Sequence, residues 1–167
     1  MFRRRTSVGI QLAGFGTALL IFIADQLSKF WVLRIVDLDG PDSGGRIEVL
    51  PFFDLTMVWN VGISFGLFPA SNLIQRIVFI AFSVAVSAYL GSWVWRSTRR
   101  LQAIACGMII GGALGNALDR VLHGAVADFL DFSGLYFPWV FNVADAAISV
   151  GVVMLLLDFF VNGDKAK

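Results

Sequence analysis

Two aspartates carry the strongest chemical signal in the sequence. Asp128 lies in Val126-Ala127-Asp128-Phe129 and Asp145 in Val143-Ala144-Asp145-Ala146, and neither has a Lys or Arg within four positions. A lone ionised carboxylate in apolar surroundings is costly. Two such acids near one membrane surface suggest a dyad. Close carboxylates cannot both ionise cheaply, so they share a proton and titrate as a coupled pair. The ionised member can take a proton from water while the protonated one donates to a carbonyl oxygen. That chemistry hydrolyses a peptide without a covalent intermediate or a metal.

Other chemistries fit the residue inventory less well. A zinc site needs His or Cys ligands, and the chain offers one of each, His123 and Cys106. A Ser-His-Asp triad would have to use that same His123. A Ser-Lys pair is conceivable from Lys29 with Ser28 or Ser64, because a desolvated lysine can act as a base. Adjacent Ser28 and Lys29, however, would diverge by about 100° on a helix. No Gly-rich loop with a lysine is present to cradle a phosphate. With Cys106 alone, no internal disulfide can form. A net charge of +1 provides no basic field for nucleic acid.

The elements that must position the dyad are membrane helices. Of the 167 residues, 57% are hydrophobic and only 15% charged. A soluble domain of this size cannot hide so much apolar surface. Four windows are long and apolar enough to span, at about 10–33, 76–95, 101–120 and 139–158, with loops at about 34–75 and 121–138. The expected fold is a mainly α membrane protein, a four-transmembrane-helix bundle in one integral membrane domain. Arg3, Arg4 and Arg5, then Arg96, Arg99 and Arg100, then Lys165 and Lys167 flank the spans on one side, while the first loop is acidic. The positive-inside rule then predicts cytoplasmic termini and both long loops outside. A basic start before an apolar run also fits a cleaved leader. The polar Asp25 to Lys29 stretch and three further spans favour retention.

Within the spans the charges fall in one layer. At 1.5 Å rise per residue, Asp25 lies roughly 20 Å from the inner end of span one and Asp119 and Arg120 roughly 27 Å along span three, while Asp145 is roughly 10 Å inside the outer end of span four. Three- and four-residue spacings put Asp25 with Lys29, Asn116 with Asp119 and Arg120, and Asn142 with Asp145 on common helix faces. Ion pairing between helices explains Asp25, Lys29, Asp119 and Arg120 as readily as chemistry does. Gly107, Gly111, Gly112 and Gly115 suit close helix approach. Between Phe52 and Asn60, apolar Phe53, Leu55, Met57 and Trp59 partly alternate with Asp54, Thr56 and Asn60, a strand pattern. Ala125 to Phe132 could be a second extended run. With Phe52, Phe65 and Phe68, these segments predict a small sheet-like element on the outer leaflet. Its aromatic residues would cover a substrate and limit water access.

The segments Asp25-Gln26-Leu27-Ser28-Lys29, Asn60-Val61-Gly62-Ile63-Ser64-Phe65, Gly111 to Arg120, Val126-Ala127-Asp128-Phe129 and Phe141-Asn142-Val143-Ala144-Asp145 occur in this order on four spans. Together they resemble the bacterial lipoprotein signal peptidase family, signal peptidase II, over nearly the whole chain. Only Ile63-Ser64 depart from the two small residues more usual after Gly62. The resemblance implies an intramembrane aspartyl endopeptidase of the inner membrane, with its active site towards the periplasmic face. It would remove signal peptides from diacylglyceryl prolipoproteins by cleaving before the lipidated cysteine. It implies Asp128 and Asp145 as the catalytic pair and Asn60, Asn116, Arg120 and Asn142 as groups that position substrate or dyad. Asp25, Lys29 and Asp119 become supporting polar residues. It further implies no metal or other cofactor, lipid and prolipoprotein as partners, and inhibition by the cyclic peptide globomycin.

A competing reading is a small ion- or proton-coupled membrane protein relaying charge through Asp25, Asp119 and Asp145. A conduction path needs polar groups across the bilayer, and these three acids all sit in one layer. A non-catalytic assembly subunit would account for the glycines but leave Asp128 and Asp145 without a role.

Overall fold

The computed structural model describes residues 8–62 and 73–162. Arg3 to Arg5, Ile63, Ser64, Phe65, Phe68, Lys165 and Lys167, all named above, lie outside them. Four helices among the described residues are long and apolar enough to cross a membrane. They are α1 (Val8–Phe30), α2 (Leu73–Arg96), α3 (Arg100–His123) and α4 (Val143–Asn162). Their outward faces carry Leu12, Leu20, Phe82, Tyr89 and Phe159, all well exposed, which only a lipid solvent tolerates at this density. A four-stranded antiparallel sheet, β1 (Arg46–Leu50), β2 (Phe53–Asn60), β3 (Val126–Asp131) and β4 (Val140–Phe141), runs in the order β1-β2-β3-β4. The architecture is the one expected.

Helix α3 is the axis of the bundle. Two thirds (67%) of its most apolar stretch is buried, against 11% in α1 and α2 and 22% in α4. Small residues make this possible. A Cβ on Gly107 would strike the Gly14 carbonyl oxygen of α1, one on Gly111 would come within 2.5 Å of the Ala18 oxygen, and one on Gly112 within 2.5 Å of the Ala144 oxygen of α4. Lipid offers no hydrophobic drive between helices, so such backbone approach carries the packing. Cys106, Ile109 and Ile110 complete this core with Leu90 and Val94 of α2.

The sheet has its own core. Leu55 and Phe129 pack on Val32 and Leu38, at and beyond the end of α1, with Phe53, Met57 and Leu130 around them. The alternation read in β2 therefore holds for Phe53, Leu55 and Met57 but not as far as Trp59. Its ladder with β3 contains a bulge: Leu55 faces Leu130, yet Val58 faces Asp128. An unbroken register would have set Met57 opposite Asp128, on the apolar face. The extra residue re-aims the strand and brings Asp128 beside Val58 and Asn60.

Three features differ from expectation. Helix α4 begins at Val143, not near Trp139, because Val140 and Phe141 pair with Asp131 and Leu130 as β4. Asp145 consequently sits in the first turn of α4, not some 10 Å inside the span. An apolar run reads the same to hydropathy whether it is strand or helix. Strand β1, Arg46-Ile47-Glu48-Val49-Leu50, hides in an acidic loop and forms only by pairing with β2. Beyond Phe30 the first helix widens into a π-helical turn, Trp31–Ile35.

Candidate active site

The end of the bundle that carries the sheet holds two adjoining polar centres. The first surrounds Lys29, whose Nζ lies 2.8 Å from both Asp25 Oδ2 and Asp119 Oδ2 and donates to Asn116 Oδ1 at 3.1 Å. Gln26 Nε2 adds bonds to Asp25 (3.1 Å) and Asp119 (3.2 Å). All three charged groups are almost fully buried. The expected pair of Asp25 with Lys29 is present, but the cation on Asp119 is Lys29 of another helix, not its neighbour Arg120.

These acids also reach the backbone next to Asp128 and Asp145. Asp25 Oδ1 accepts from the Ala144 amide at 3.0 Å. Asp119 Oδ2 accepts from the Ala127 amide at 3.1 Å. Each bond pins the residue immediately before Asp145 or Asp128. Asp25 also satisfies one of the orphan donors at the start of α4.

Asp128 and Asp145 form the second centre, bridged by asparagine amides. Asp128 Oδ1 accepts from Asn142 Nδ2 at 2.7 Å and Oδ2 from Asn60 Nδ2 at 3.0 Å. Asp145 Oδ1 accepts from Asn116 Nδ2 at 2.8 Å. Asn142 and Asp145 also close a capping box: the Asp145 amide donates to Asn142 Oδ1 (2.9 Å) and the Asn142 amide to Asp145 Oδ2 (3.3 Å). Backbone donors thus decide which way two amides point. Asn142 Oδ1 is taken by the Asp145 amide and Asn60 Oδ1 by the Gly62 amide, so their NH2 groups must face Asp128. Burial, reinforced by the charge of Asp145, pushes the Asp128 carboxyl up to about 7, against the pull of its two amide donors.

Asp128 opens onto a cleft of about 640 Å³. Val58, Trp59, Asn60 and Gly62 form one wall, Phe79 of α2 and Arg120 of α3 another, and Pro138, Trp139 and Val140 the third. The Arg120 guanidinium lies over the Phe79 ring, 5.0 Å from its centroid. Trp59 is held by a 3.1 Å bond from its Nε1 to Asp39 and by ring contact with His123.

The structure therefore gathers Asn60, Asn116, Asp128, Asn142 and Asp145 into one network, with Asp25, Lys29 and Asp119 behind it and Arg120 in the cleft. Sequence reasoning missed Gln26, whose reach across to α3 has no local signature, and Phe79, one aromatic among many. It also read Asn142 and Asp145 only as a shared helix face, although the Asn-x-x-Asp spacing is a capping signal.

The sequence profile of the family described as Signal peptidase (SPase) II matches residues 17–161, which include every residue of both centres. The chain belongs to the signal peptidase II family. It is 48% identical to a lipoprotein signal peptidase of Caulobacter vibrioides over 152 residues, 90% of this chain and 88% of that one. It is 42% identical to one of Nitrobacter hamburgensis, over 93% of this chain and 96% of that one. Two solved bacterial membrane enzymes share the family member's fold. One superposes with a TM-score of 0.77 at 23% identity, covering 100% of this chain and 97% of the other. The second gives 0.74 at 25% identity, over 95% and 97%.

Proposed function

We propose that the protein is an aspartic endopeptidase that removes signal peptides from diacylglyceryl prolipoproteins by cutting before the lipidated cysteine. The relatives' activity supports the substrate class. The observation that carries the mechanism is that Asp128, which lines a cleft, is joined to Asp145 through Asn142, each carboxyl held by neutral amides with no salt bridge among the described residues.

The roles follow from that arrangement. Asp128, protonated up to about pH 7, donates to the scissile carbonyl oxygen. Asp145, fixed by Asn116 and the Asn142 amide, takes a proton from water as the water oxygen adds to the carbonyl carbon. The tetrahedral diol then collapses as the C–N bond breaks and a proton passes to the leaving nitrogen. One water is consumed, an acid and an amine are released, and the pair regains its shared proton. Arg120 supplies a cation on the far wall for the polarised carbonyl.

The membrane presents the substrate. Acyl chains on the cysteine partition into the bilayer and hold the scissile bond at a constant depth. The reaction belongs to the periplasmic face of the inner membrane, with both termini cytoplasmic. This orientation is supported by Arg96, Arg99 and Arg100, which join α2 to α3 at the end away from the sheet. Globomycin is expected to compete for the cleft.

The test is cleavage of a purified diacylglyceryl prolipoprotein by the solubilised protein in the presence of chelator. Wild type should cut before the modified cysteine, and folded Asp128→Asn and Asp145→Asn should both fail. Cleavage by both variants would make the aspartates structural and return attention to Lys29 with a serine.

A further inference from the structure

Helix α2 contributes none of the acids or amides of the two centres, yet it reaches the cleft through one side chain, Phe79. The Phe79 ring meets two other walls. Its face lies under Arg120, 5.0 Å from centroid to Cζ. Its edge abuts Gly62, where φ is +121° and an added Cβ would come within 2.5 Å of Phe79 Cε2 and 2.7 Å of Gln75 Nε2. Arg120 itself is held loosely by polar partners. Its Nη1 donates to the Asn116 carbonyl at 3.3 Å, and it makes no salt bridge within 4 Å among the described residues. Its charge is drawn mainly towards Asp145 and Asp128. A long side chain with one stretched hydrogen bond keeps most of its rotamer freedom unless something planar seats it. An aromatic face does so, and cation–π attraction strengthens where water is excluded.

We infer that Phe79 is a positioning residue of this site, seating the Arg120 guanidinium in the cleft and bracing Gly62, so that one ring registers the ends of β2, α2 and α3 around the substrate. The inference rests on the peptidase reading above. It assigns a part in the reaction to the one helix that stands outside the polar network.

A double-mutant cycle tests it, using cleavage of diacylglyceryl prolipoprotein by the full chain, with Asp128→Asn as a reference. Phe79→Leu should lower kcat about tenfold, the order expected for losing a desolvated cation–π seat, with a smaller change in KM. Phe79→Tyr should recover most of that loss. Phe82→Leu, on the exposed face of the same helix, should leave activity unchanged. Added to Arg120→Gln, Phe79→Leu should cost little more, because the seated cation is already gone. Wild-type kcat in Phe79→Leu, or losses that simply multiply with Arg120→Gln, would overturn the inference. If Phe79→Leu fails to fold, Phe79→Met, which loses the ring and keeps bulk, replaces it in the cycle. A wild type that cuts no prolipoprotein would sink the peptidase reading, and an active Asp128→Asn only its aspartyl mechanism, so these failures are distinguishable from that of the inference.

Discussion

Lys29 with Asp25 and Asp119, and Asp128 with Asp145, lie side by side at the sheet end of the bundle, yet they are wired differently. In the first centre a buried ammonium sits 2.8 Å from each of two carboxylates. In the second, two carboxyls linked through Asn142 accept from asparagine amides and a backbone amide. In the first centre each carboxylate has a cation in direct contact, which suits holding helices together. In the second no cation lies within ion-pair distance of either carboxyl among the described residues, which favours a shared proton, the arrangement useful to a hydrolase. The two centres also divide the labour: Asp25 and Asp119 each hold the backbone one residue before a member of the dyad.

The largest contrast should come from substituting one member of each centre. Asp128→Asn should cost about a thousandfold or more in kcat, within the upper range for a lost general acid, in a chain that still folds. Lys29→Met should instead cost roughly 3–5 kcal/mol of stability, because it strands two buried carboxylates. Thermal unfolding of the two variants alongside prolipoprotein cleavage separates these outcomes. A stable Lys29→Met protein without activity would merge the centres into one catalytic unit. Asp119→Ala should fall between, about tenfold down in kcat, since it frees the Ala127 amide and loosens the strand under Asp128.

Acidity should sharpen the comparison further. The Asp128 carboxyl is raised from 3.8 to about 7, so activity that needs its proton should fall as pH rises through about 7. The sign for stability is the same. The unfolded carboxyl ionises near 4 while the folded one keeps its proton, so stability declines from about pH 4 to about pH 7. The Asn60 donor opposes the shift; Asn60→Ala should therefore move the descending limb of the rate profile to higher pH. An unmoved limb would detach that limb from Asp128. The smallest effect, a few-fold change in turnover, is expected for Trp59→Ala, since Trp59 forms cleft wall and touches neither carboxyl.

Much of this was legible in one dimension. Long apolar windows identified the helices because lipid demands them, and the absence of any Lys or Arg near Asp128 and Asp145 drew attention to two acids that the structure links through Asn142. Other features were present but ambiguous. Trp139 to Phe141 are apolar enough for helix, and only pairing with Leu130 and Asp131 makes Val140 and Phe141 a strand. Asn142 was visible as a partner of Asp145 on a helix face; that it is the cap, with its NH2 turned to Asp128, depends on where the helix starts.

Sequence alone determined which groups are present and which lack a local counter-ion, because these follow from residue type and spacing. Tertiary structure decided who pairs with whom. Lys29 takes Asp119 from another helix, a bulge in β2 sets Val58 and not Met57 opposite Asp128, and Phe79 comes to lie beneath Arg120. Such choices depend on distances between segments far apart in the chain, and closing those distances is what packing around α3 accomplishes.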